Sequence, residues 1–213
     1  MSRGLFITFE GIEGCGKTTQ IRLLADHLRA AERSVVLTRE PGGTPAAEAI
    51  RAILLDPAHD ALSPTTELLL YAAARAQHVH QIIRPAVEAG AVVLCDRFAD
   101  STEAYQGGGR ALPHKTIDIL RDIATDGTGP DCTILLDLPA SEGLARTRSR
   151  GELDRIEGES IAFHERVRAA FLAIAAREPE RVIVIDAAAP VEMIARELRV
   201  RIDALLRAEA QRS

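Results

Sequence analysis

The stretch "LFITFEGIEGCGKTTQ", residues 5–20, decides the fold. A short apolar run gives way to Gly-X4-Gly-Lys-Thr at Gly11 to Thr18, and then to a helical pattern. Strand, glycine-rich loop and helix in that order read as a phosphate-binding loop. The backbone N–H groups of Gly11, Ile12, Glu13, Gly14, Cys15 and Gly16 are expected to cradle phosphates at a helix N-terminus, where the helix dipole favours an anion. Lys17 is expected to reach the β- and γ-phosphates, and the Thr18 hydroxyl to hold a divalent metal. The chain has 26 basic residues but only two lysines, Lys17 and Lys115. One of the two occupies the single position where this loop needs an ammonium, which a plain strand-to-helix turn does not.

Outward from the loop, apolar β-branched runs recur at 34–40, 91–97, 132–138 and 181–187, joining the first at 5–10. Continuous apolarity marks strands buried on both faces. Helical patterns fall between them, at about 17–32, 45–55, 65–89, 113–126, 140–149, 159–177 and 190–209. The alternation predicts an α/β fold of the P-loop NTPase type. It has a five-stranded parallel sheet, helices on both faces, and one domain over residues 1–213. The glycine-rich "AYQGGGR" (104–110) and "ATDGTGP" (124–130) read as loops.

The composition excludes several classes. Hydrophobic residues make up 46% of 213, enough for one substantial core. Net charge is −5 with no basic half, so no nucleic-acid surface is expected. No apolar run reaches the roughly 18 residues of a membrane span, and no signal-peptide pattern opens the chain. Cys15, Cys95 and Cys132 are far apart and odd in number, as expected of reduced thiols in the cytoplasm. His27, His59, His78, His80, His114 and His164 read as surface or core residues, because no pair has the i, i+4 spacing of ligands on one helix face.

In sheets of this kind ligands bind beyond the carboxyl ends of the strands. Polar clusters stand at four of those ends: "EGIEGCGKT", "TREPGGT", "CDRFADST" and "LPASEGLARTRSRGELDR". They are expected to converge on one cleft. Asp96 ends an apolar strand where such folds place a carboxylate beside the metal. Arg97 follows and points toward phosphate charge.

Taken together, "FEGIEGCGKTTQ", "TREPGGT", "YAAARAQH", "DRFADSTEAYQGGGR" and "RGELDRIE" resemble the bacterial thymidylate kinase family. The five motifs run in the family's order from residue 9 to residue 157. The resemblance implies transfer of the ATP γ-phosphoryl group to dTMP with Mg2+, giving dTDP, by a homodimer. It implies that Glu13 faces the reacting phosphates, that Arg39 and Glu40 line the dTMP sugar and phosphate, and that Arg51 and Arg97 bind that phosphate. Tyr71 stands where the family usually has a thymine-stacking Phe. Tyr105 would lie against the sugar where a 2′-OH would sit. A lid at about 146–158 would bring Arg150 to the adenine and Arg155 to the transferring phosphoryl group, with Arg146 and Arg148 beside it. The chemistry of the base is consistent with this: donor-only Arg75 suits the thymine O4, while Thr102 and Gln106 can accept from N3–H.

Other classes fit less well. A GTPase switch would carry an "NKxD" motif, which the sequence lacks. A regulatory ATPase needs no mononucleotide pocket. A binding module has no need of Glu13, Arg97 and the lid arginines. The nearest alternative is a kinase of the same fold acting on a nucleoside or on UMP/CMP. Arg51 and Arg97 favour an acceptor that already carries a phosphate.

Overall fold

The computed structural model describes residues 3–149 and 151–212. Five strands, β1 (Phe6–Glu10), β2 (Val35–Arg39), β3 (Val92–Asp96), β4 (Cys132–Asp137) and β5 (Val182–Asp186), form one parallel sheet in the order β2-β3-β1-β4-β5. β1 lies in the middle, and all five of its residues are buried. The phosphate-loop motif therefore leaves the centre of the sheet, where neighbouring connections run to opposite sides.

The helices are α1 (Lys17–Ala30), α2 (Pro45–Leu55), α3 (Pro64–His78), α4 (Arg84–Glu88), α5 (Ala99–Thr102), α6 (His114–Thr125), α7 (Ala140–Arg148), α8 (Ile161–Arg177) and α9 (Val191–Arg212). Their starts are written locally. Thr44, Ser63 and Ser160 each accept the N–H three residues on, and Pro45 and Pro64 occupy first-turn positions. A large core fills the space between the sheet and α1, α8 and α9, around Phe9, Leu24, Ile134, Phe171 and Leu198. A smaller cluster of Phe6, Ile83, Val93 and Phe98 fills the space under α4.

Two segments differ from the sequence expectation. The helix expected over 65–89 contains a π-helical turn at Val79–Ile83, where the Arg84 N–H reaches back five residues to the Val79 carbonyl. Pro85 explains the turn: it has no N–H and its ring crowds the preceding turn, which a local widening accommodates. The second difference is a correction. "AYQGGGR", expected to be a loop, is helical. α5 runs into a π-helical segment, Glu103–Gly109, closed by Arg110 N–H to the Tyr105 carbonyl. The glycines are there for contact rather than for turning. A Cβ on Gly108 would stand 2.6 Å from the Ala170 Cβ, and one on Gly109 would stand 2.5 Å from the Phe163 ring. α8 thus packs directly on this backbone and fixes Tyr105 and Gln106 against the site.

A helical Gly→Ala change ordinarily gains up to about 1 kcal/mol. Gly108→Ala should reverse that sign and cost about 1–3 kcal/mol through overpacking. Gly129, exposed, without a positive φ and with open space around it, serves as control; Gly129→Ala should stay within about 0.5 kcal/mol. Urea denaturation of the two variants measures both.

Candidate functional site

The loop Gly11–Thr18 joins β1 to α1. Gly14 and Gly16 have φ of +74° and +93°, which side chains other than glycine's rarely allow. Gly14 lies flat against the backbone of Gly143 in α7, while nothing stands within 4 Å of a Cβ built on Gly16. The cradle is thus backed on one side and open on the other. Lys17 folds over it, with Nζ donating to the Gly11 and Ile12 carbonyls at 3.1 and 3.0 Å. The Thr18 hydroxyl donates to Asp96 Oδ2 at 3.3 Å, across from the end of β3. A hydroxyl and a carboxylate side by side suit a hard cation that takes its other ligands from phosphate and water. No cluster of three His, Cys, Asp or Glu residues able to hold a metal occurs among the described residues.

A cavity of about 200 Å3 opens from this loop. Glu13, Gly14, Lys17 and Asp96 line its donor end. All the acceptor-side residues expected from sequence line the rest: Arg39, Glu40, Arg51, Tyr71, Arg75, Arg97, Thr102, Tyr105 and Gln106. They come from β2, α2, α3, the end of β3 and the α5 region, so the clusters at separate strand ends do meet.

Buried carboxylates organise the arginines. Arg75 donates through Nε to Glu40 Oε2 at 2.7 Å, through Nη1 to Thr102 Oγ1 at 2.9 Å and through Nη2 to the Phe98 carbonyl at 3.0 Å. Of five guanidinium N–H bonds, two remain for a ligand. Arg97 takes a positive φ of 73°, a strained conformation for a side-chain-bearing residue and one that often marks functional positions. Its guanidinium donates to Glu13 Oε1 at 2.8 Å and to the Gly11 carbonyl at 2.9 Å, and lies over the Tyr105 ring. Tyr105 donates its hydroxyl to the same Glu13 oxygen at 2.5 Å. Burial alone would raise the Glu13 carboxyl. The Arg97 charge, with help from His164, Lys17 and Tyr105, overcomes it and holds Glu13 well below the usual carboxylate range. Burial raises the Tyr105 hydroxyl well above its ordinary value, so it stays a donor. Arg39 pairs with Glu48, and Arg51 donates to the Pro41 carbonyl. Burial and the Arg39 charge pull the Arg51 pKa down, as expected where cations are gathered to await an anion.

The segment expected to form a lid contributes to one wall. Asp154, Ile156 and Glu157 line the cavity. Arg155 instead is anchored among the acceptor-side helices: Nη1 pairs with Glu67 at 2.7 Å and Nε donates to the Leu54 carbonyl at 2.7 Å. Its Nη2 is buried without a hydrogen-bond partner among the described residues. Arg146 reaches the Ala187 carbonyl at 3.4 Å. Arg150 lies outside the described residues.

Four residues with structural roles here were not singled out in the sequence. Glu10 ends β1 and accepts from the Phe98 N–H at 2.7 Å and the Ser101 hydroxyl at 2.6 Å. Burial, reinforced by the Asp100 charge, pushes its carboxyl up to about 8. His78, fully buried, bridges Glu40 and Thr38 at 2.9 and 2.6 Å. His164, equally buried, places Nδ1 3.2 Å from Glu13 Oε2, close but not aligned as a hydrogen bond. Glu67 sits in α3 at 1% exposure. A signal for Glu67 existed: residues 67, 71 and 75 share one helix face at i, i+4, i+8. A carboxylate ending the strand before the phosphate loop was the signal for Glu10. Nothing local marks the two histidines.

The chain resembles known proteins over most of its length. The thymidylate kinase family model matches residues 9–198. A thymidylate kinase of Geobacter sulfurreducens is 59% identical over 189 residues, covering 86% of this chain and 89% of the relative. One from Pseudomonas fluorescens is 55% identical over 195 residues, covering 92% and 93%. The crystal structure of the Ehrlichia chaffeensis thymidylate kinase superposes with a TM-score of 0.78 at 36% identity, covering 94% of this chain and 99% of that one. With the loop, the paired arginines and the shared cavity in the places described above, the chain belongs to the thymidylate kinase family.

Proposed function

We propose that this protein transfers the γ-phosphoryl group of ATP to dTMP, giving dTDP and ADP. The observation that carries the reading is that one and the same cavity is lined by Lys17 of the phosphate loop and by Arg75, Thr102 and Gln106. Donor and acceptor are thereby held in one place, which supplies most of what phosphoryl transfer needs.

Lys17 binds the β- and γ-phosphates, and the loop N–H groups cradle them. Mg2+ held at Thr18 and Asp96 would neutralise charge building between those phosphates. Arg97, Arg39 and Arg51 hold the acceptor phosphate. A phosphate monoester has its second pKa near 6, so its oxygen is already ionised at neutral pH and no general base is required. Glu13 orients Arg97 and Tyr105 rather than taking a proton, consistent with its low carboxyl pKa. Tyr71 stacks on the base and Tyr105 lies against the sugar. Arg75 donates to O4, and Gln106 and Thr102 face N3–H. Arg150 contacts the adenine.

Coupled assays across dTMP, dUMP, UMP, dCMP and thymidine test the reading. dTMP should exceed dCMP by about 10⁴ in kcat/KM, because an N4 amino group leaves Arg75 unpaired. Thymidine, lacking a phosphate for Arg97, should be inert. Equal kcat/KM for dTMP and dCMP sinks the assignment.

Arg155 is assigned to the transferring phosphoryl group, which it reaches by exchanging Glu67 for the γ-phosphate as the lid moves. Its unpartnered Nη2 supports this. Arg155→Ala should lower kcat by at least about 10², with dTMP affinity by titration near wild type. Normal turnover in that variant contradicts the assignment.

The working unit is a homodimer in the cytoplasm. α2 packs on α3 and α3 on α6. Ile53, Leu69, Ile119 and Ile123 on these helices are 40–69% exposed, an apolar face suited to a second copy. The three cysteines are buried and unpaired, and no helix among the described residues is long and apolar enough to cross a membrane. Sedimentation should give twice the chain mass, and Ile119→Glu should halve it; a wild-type monomer refutes the dimer.

A further inference from the structure

We propose that Glu67 is the positioning residue that sets the hydrogen-bonding polarity of the base pocket, by holding the Gln106 amide so that its oxygen, not its nitrogen, faces the ligand. The inference rests on the acceptor-site reading above and deepens it.

A glutamine amide is nearly symmetric in shape, and only its hydrogen-bond partners decide which end is oxygen. Gln106 is 1% exposed and lines the cavity. Its Nε2 donates to Glu67 Oε1 at 2.8 Å. An ionised carboxylate only accepts, so the opposite amide orientation would set two acceptors against each other in a buried site. Burial alone would raise the Glu67 carboxyl, but hydrogen bonds from Arg110 and Gln106, the Arg110 charge and the Arg155 contact outweigh it, and the group lies below its ordinary value. Glu67 therefore stays ionised at neutral pH. Arg110 grips it through Nε and Nη2, both at 3.2 Å, and Arg155 Nη1 stands 2.7 Å from Oε2.

Gln106 Oε1 accepts no hydrogen bond from the described residues. It is left to accept in the cavity that Arg75, with two spare donors, also lines. Acceptor beside donor complements the N–H and C=O of a 2,4-dioxopyrimidine. It mismatches cytosine, whose N3 accepts and whose N4 donates. Part of the discrimination thus originates one residue behind the pocket wall, on the α3 face that also carries Tyr71 and Arg75.

Two measurements test this. In the wild-type enzyme with labelled glutamine side chains, dTMP should shift the Gln106 carbonyl carbon while its NH2 protons stay protected and nearly unmoved. Movement of the NH2 protons with a static carbonyl carbon overturns the inference. So does a total absence of dTMP-induced shifts, which overturns the acceptor reading as well. The second measurement is a cycle of Glu67→Gln, Gln106→Leu and the double variant, scored by the dTMP-to-dCMP ratio of kcat/KM. A neutral Gln at 67 accepts or donates equally well, so each single change should cut the ratio by at least about tenfold. The double variant should fall no further than the worse single, because Glu67 acts through Gln106. Full additivity, or an unchanged ratio in Glu67→Gln, refutes the role. Should Glu67→Gln fail to fold, the wild-type resonances still decide. Phosphorylation of dTMP with the amide nitrogen toward the base refutes this inference alone and leaves the proposed activity standing.

Discussion

The ion pair between Glu40 and Arg75 is the constraint on which the rest of the acceptor side depends. Both side chains are 3–4% exposed, and the contact is 2.7 Å. A buried pair of this kind gives little net stability over an apolar replacement, but losing one partner costs about 3–5 kcal/mol. What it contributes is geometry. Glu40 follows β2 and is braced by His78 from α3, and Arg75 reaches on to Thr102 and the Phe98 carbonyl. One guanidinium thereby fixes β2, α3 and the segment after β3 relative to one another. Its three bonds hold the guanidinium in place before any ligand arrives, so little ordering is left for binding to accomplish.

The same device recurs at the donor end. Glu13 of the phosphate loop holds Arg97, and the positive φ of Arg97 turns its side chain back toward the loop. The strain is tolerated because the Phe9 carbonyl takes the Arg97 N–H and the guanidinium has three partners. Glu67 completes the pattern with Arg110 and Arg155. Three buried carboxylates each fix the orientation of at least one arginine. In a chain with only two lysines this is consistent chemistry, since the planar guanidinium fork keeps orientation where an ammonium would not.

How much of this was legible in sequence depends on the range of the interaction. The phosphate loop is local: strand, glycines, lysine and helix lie within sixteen residues, and the structure keeps their order. β1, β3 and β4 are buried almost throughout and so advertise themselves; the edge strands β2 and β5 are apolar in sequence yet partly exposed, with Leu37 and Val184 open to solvent because no further strand or helix covers them. The limits of all five differ from expectation by about a residue. The triple glycine misled because an isolated run of glycine favours a turn, whereas here the contact with α8, some sixty residues on, decides. His78 and His164 stayed anonymous for the same reason: their partners, Glu40 and Glu13, lie 38 and 151 residues away. Arg155 is a different case. Its motif was visible, but its pairing with Glu67, on a helix 88 residues earlier in the chain, was not.

The central claim is that the acceptor pocket is assembled before its ligand, by arginines already committed to buried carboxylates. The most direct measurement is a crystal structure of the dTMP complex at a resolution that orders side chains. The account predicts that Arg75 keeps its contact of about 2.7 Å to Glu40 and its bond to Thr102 while its spare donors meet the base. An Arg75 that leaves Glu40 and swings across to reach the nucleotide would contradict it.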